Sequence, residues 1–127
     1  MERETTNIQL RPKIETIIET LESSALEYFQ NKTIRPILKL QNQALVITFN
    51  GLNTGKKVDF SRMADGQKRI WIRNILSKDA IVRNVIIGMV LGMMSHDELG
   101  FFCEHEKECR SRIMDMVAER LAGEVEC

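Results

Sequence analysis

The chain has 127 residues, 43% of them apolar, and its 18 Lys and Arg are balanced by 18 Asp and Glu. That length fits one domain covering residues 1–127, and the composition excludes a disordered chain, which needs low hydrophobicity together with high net charge. Zero net charge also excludes a whole-molecule electrostatic pull toward nucleic acid or acidic membranes.

The N-terminus opens Met1-Glu2-Arg3-Glu4 with no apolar run behind it, which does not read as a secretory signal. The longest apolar stretch, Val85 to Met94, has ten residues, about half of what a bilayer span requires. Three cysteines (Cys103, Cys109 and Cys127) make an odd count that points to reduced thiols. The expectation is a cytoplasmic protein with no membrane partner.

In chain order, the spacing of Ile14, Ile17, Ile18, Leu21, Ala25, Tyr28 and Phe29 predicts an amphipathic helix from about Ile8 to Gln30. The period then changes. Ile37 to Gln41, Ala44 to Phe49 and Lys57 to Phe60 are short apolar or alternating runs, the first two separated by Asn42-Gln43. They predict a three-stranded antiparallel meander over about 36–60, with Leu45, Ile47 and Phe49 on one face. Pro36 would precede the first strand.

From Ser61 the pattern turns helical. Gln67 to Leu76 reads as a helix or a strand, since Ile70-Trp71-Ile72 matches neither period, and the spacing of Ile72, Ile75 and Leu76 favours the helix. Ser77 or Asp79 then reads as the N-cap of a second helix, Ala80 to Met94, apolar nearly all round and therefore expected at the centre of the fold. Ser95-His96-Asp97-Glu98 is a capping box, with Met94 and Leu99 placed as its hydrophobic staple. It predicts a bend at Met94/Ser95 and a last helix running to about Ala122, with Gly123 as its stop. The fold class expected is α+β: an N-terminal helix, the meander, and two or three C-terminal helices packed on one sheet face.

Few residue patterns point to chemistry. Gly51-Leu52-Asn53-Thr54-Gly55-Lys56-Lys57 has three residues between its glycines, Lys57 where a phosphate loop has a hydroxyl, and no helix after it, so it reads as a turn. His96, Cys103, His105 and Cys109 include zinc-type donors, but on one continuous helix Cys103 falls opposite His105. No metal and no cofactor is assigned. The only histidines, His96 and His105, have no nucleophile placed against them. No catalytic residue or small-molecule substrate follows, and an enzyme is the less favoured class. On the last helix, Glu106 and Arg110 interrupt the apolar stripe and are expected to pair in solvent.

Two features suggest partners. Gly88 and Gly92 lie one turn apart beside Met89 and Met93, a combination suited to close helix packing and adaptable contact, against this chain or a second copy. Charge is also segregated. Residues 1–30 carry a balance of −3, residues 31–83 of +8 and residues 84–127 of −5. The leading expectation is a small protein-interaction or regulatory module that binds a protein partner or itself as a homodimer, with Gly88, Met89, Gly92 and Met93 at the interface. The alternative is a nucleic-acid-binding protein using the basic 56–73 segment, through Lys56, Lys57, Arg62, Lys68, Arg69, Trp71 and Arg73.

Overall fold

The computed structural model describes residues 25–52 and 63–124, and among them every regular element is a helix. In chain order these are α1 (Ala25–Phe29), a π-helical turn (Gln30–Ile34), α2 (Arg35–Leu40), α3 (Asn42–Leu52), α4 (Asp65–Lys78), α5 (Ala80–Leu91), α6 (His96–Glu104) and α7 (Glu106–Ala122). The expected α+β class is therefore overturned. The first two meander runs are helical, while the third, Lys57 to Phe60, and residues 8–24 of the expected first helix lie outside the described residues.

The physical reason is visible in the side chains. Ile34, Ile37, Leu38, Leu45 and Phe49 are all fully or almost fully buried, and their steps of three, one, seven and four are those of a helical stripe. Ile47, which a strand would put beside Leu45 and Phe49, is instead 67% exposed. Pro36 occupies the first turn of α2, where its missing N–H costs no α-helical hydrogen bond. The wide turn before it closes with the Arg35 N–H donating to the Gln30 carbonyl, five residues back. The Asn42-Gln43 break is real but slight: at Gln41 the backbone leaves the helical region (φ −97°, ψ 13°) and the chain resumes as α3.

Later elements follow the sequence more closely. α4 contains the whole expected helix, burying Ile72 and Leu76. Asp79, not Ser77, caps α5, its Oδ1 accepting from the Ile81 and Val82 amides at 3.1 and 3.2 Å. Ser95 caps α6 through the full capping box: the Glu98 N–H donates to Ser95 Oγ at 3.2 Å and the Ser95 N–H to Glu98 Oε1 at 2.8 Å. The expected last helix is divided at His105, whose backbone (φ −126°, ψ 37°) ends α6 and starts α7. Beyond it Cys109, Ile113, Val117 and Leu121 descend α7 at four-residue steps, all buried.

α7, rather than α5, is the central helix. It packs against the π turn, α3, α4, α5 and α6. The N-terminal strand of helices is tied to it and to α6 at three points. Phe29 stacks on Phe101 with ring centroids 4.5 Å apart. The buried Thr33 hydroxyl donates to Glu98 Oε2 at 2.9 Å, and Arg112 Nη1 donates to Gln30 Oε1 at 2.7 Å.

Candidate interaction face

α5 packs against α3, α4 and α7, and it keeps one face outside. On a 100° wheel, Val82, Ile86, Ile87 and Val90 point to the core, while Ile81, Asn84, Val85 and Gly88 form the outer stripe that Gly92 continues at the helix end. Ile81 is 72% and Val85 40% exposed. No charged side chain lies on this stripe. The only one in α5, Arg83, turns toward the end of α4, where Nη1 donates to the Ser77 carbonyl at 2.7 Å and the Leu76 carbonyl at 3.3 Å. That is the favourable place for a cation, satisfying carbonyls that have no partner in their own helix.

The neighbouring α3 continues the pattern, and α4 does so only in part. α3 has no charged residue, and Ile47 and Leu52 are exposed on it. On α4, Ile70 is 65% and Trp71 42% exposed. Six of the eight large apolar side chains exposed among the described residues therefore belong to α3, α4 and α5, the others being Tyr28 and Leu40. In a chain with 28% charged residues, α3 and the outer stripe of α5 expose apolar groups and no charged ones, whereas α4 also exposes Asp65, Arg69 and Lys78.

Of the expected interface residues, Gly88 and Gly92 are on the outer stripe, whereas Met89 and Met93 are half-buried at its edge and pack against the core. The glycines do not serve a close contact inside the chain. A Cβ built at Gly88 meets nothing within 4 Å, and at Gly92 it meets only the Gly88 and Met89 carbonyls of its own helix, at 3.2 and 3.7 Å. Ile81 and Val85 were not singled out in the sequence. The signal was there: they precede Gly88 and Gly92 on one stripe, but apolarity all round α5 was taken for burial all round.

The basic segment does not assemble into one platform among the described residues. Lys56, Lys57 and Arg62 lie outside them. Trp71 stands two residues from both Arg69 and Arg73, which on a helix is about 200°, so the ring and the two cations project to opposite sides. Arg73 is engaged within the fold, its Nε 2.6 Å from Asp115 Oδ1 and its Nη1 2.7 Å from Ser77 Oγ. Lys68 lies 3.9 Å from Asp65. Part of the basic segment is thus neutralised by acidic side chains of its own fold.

Among the described residues, no three His, Cys, Asp or Glu side chains converge as metal ligands. His105 stacks on Phe101 at 4.4 Å between centroids, and Cys103 and Cys109 are both free thiols, one exposed and one buried. The Glu106–Arg110 pair is solvated, with Arg110 Nε 2.9 Å from Glu106 Oε2; Cys109 continues the buried stripe in its place. In a Cys127→Ser background, a thiol reagent is expected to label Cys103 at least about a hundredfold faster than Cys109, which must wait for the helix to open. Burial, and secondarily Glu108, pushes the Cys109 thiol up, with Arg112 opposing. The unfolded chain therefore releases this proton first, and stability falls as pH climbs above the ordinary thiol range. A Cys109→Ala variant should lack that part of the fall in pH-dependent denaturation.

No described helix is long and apolar enough to cross a membrane. Compared with protein-family models, curated proteins and solved structures, the chain matches none.

Proposed function

We propose that this chain is a protein-interaction module, working in the cytoplasm, whose binding surface is the outer face of α5 flanked by α3 and α4. One observation carries the reading: the outer stripe of α5 holds Ile81, Val85 and Gly88 in the open with no charged residue among them. Exposing such groups costs solvation that a partner would recover, at about 25 cal/mol per Å² of apolar surface removed from water. The odd count of cysteines and the two free thiols support the reducing compartment.

The test is a photo-reactive side chain placed at position 81 of the full chain, expressed in its native cells, with the exposed position 107 in the first turn of α7 as control. Adducts to protein are expected from position 81 and not from 107. Equal or absent cross-linking at the two positions would reject the reading.

A further inference from the structure

We infer that the occupant of this face is a second copy of the chain, docked so that the two α5 helices run antiparallel across a two-fold axis. The inference rests on the interaction reading above and names its partner.

The first argument is the order of sizes along the stripe. With the polar Asn84 at the stripe's edge, its central line runs Ile81, Val85, Gly88, Gly92: two large residues, then two without side chains, at steps of four, three and four. A two-fold axis crossing α5 midway between Val85 and Gly88 brings Val85 opposite Gly88 of the other copy and Ile81 opposite Gly92. Every branched side chain then faces a glycine, in both directions at once, as an isologous contact demands. A stripe with its glycines at both ends, or in the middle, would not have this property under an antiparallel pairing about its own centre.

The second argument is that the single chain gives Gly88 no reason to be glycine. The position is exposed, in the interior of α5, and open to a Cβ. Glycine there costs about 1 kcal/mol of helix stability relative to alanine. Close approach of another backbone supplies the missing reason.

The third argument is charge. A surface related to itself by a two-fold axis meets its own charges, so any single-sign patch repels its copy. The α5 stripe and all of α3 carry none. The seam alone offers roughly 200 Å² of projected face, taking a helix about 18 Å long and 10 Å across. Stable interfaces bury about 800 Å² per partner, so the docked copy also covers part of α3, which carries no charge and exposes Ile47 and Leu52.

The test uses sedimentation equilibrium of the full chain with two variants, their helicity checked by circular dichroism. Gly88→Val sets valine against Val85 of the other copy and is expected to raise the dimer dissociation constant about tenfold or more, within the range of measured couplings between contacting residues. The double variant Val85→Gly with Gly88→Val exchanges the large and small positions and restores each pair. It is expected to return to within about threefold of the unsubstituted chain. Unchanged association in Gly88→Val, or a double variant weaker than the single one, would overturn the antiparallel register. An unsubstituted chain that stays monomeric would overturn the second copy as occupant. In that case adducts of position 81 with another protein would leave the interaction reading standing, and their absence would end both.

Discussion

Phe49→Ala is expected to cost about 3–5 kcal/mol of folding stability, while Ile47→Ala, two residues away, changes it by less than about 0.5 kcal/mol. Phe49 is fully buried in the core cluster and its removal leaves a cavity that packed neighbours refill only in part. Ile47 sits on the opposite side of α3, largely in solvent. Urea denaturation of both variants at low protein concentration separates the helical fold from a meander. In a strand the two side chains would share a face, and both truncations would be severe. A loss of the larger size is a substantial part of the whole stability of a domain, typically 5–15 kcal/mol.

Glu98→Ala should be the second most damaging change, at about 2–3 kcal/mol. One carboxylate holds two elements here: Oε1 accepts from the Ser95 amide and completes the capping box, and Oε2 accepts from the buried Thr33 hydroxyl, 65 residues away in sequence. Losing a cap costs about 1 kcal/mol, and a buried hydroxyl left without an acceptor adds about 1–3 kcal/mol. Glu98→Gln keeps a single oxygen to accept with and should fall between. By contrast, Arg110→Ala removes only a solvated i,i+4 pair, worth a few tenths of a kcal/mol. Thermal or chemical denaturation of the three variants ranks them. A Glu98→Ala protein as stable as Arg110→Ala would show that the Thr33 link contributes nothing.

How much of this was legible in the sequence depended on how local the signal was. The capping box is four consecutive residues, Ser95 to Glu98, and its geometry follows from them alone. The α4 helix was legible because Ile72, Ile75 and Leu76 break the two-residue period of a strand. α3 was not, because Leu45 and Phe49 are four apart and satisfy both periods, and the β-branched Val46, Ile47 and Thr48 between them weighed toward strand. Only packing against α5 and α7 decides that segment. The break at His105 has no proline or glycine to announce it, and Phe102 and Cys109, seven residues apart, would share a face of an unbroken helix as well.

Apolarity around the whole circumference of α5 does not make it the central helix; that is α7, whose exposed residues include Glu108, Asp115 and Glu119. A helix apolar all round can be buried on one face by its own fold and on the other by a partner. Part of the +8 balance of residues 31–83 is spent inside the fold. Arg73 and Lys68 pair with Asp115 and Asp65, and Arg83 caps a helix end, so those cations are committed to the fold.

The most direct measurement of the central claim is the mass of the full chain in solution, by light scattering across a concentration series. Self-association through α5 predicts a mass that rises with concentration toward twice 14.7 kDa and no further, as a closed two-fold contact requires. A mass fixed at 14.7 kDa throughout, or one that climbs past the dimer without limit, would contradict it.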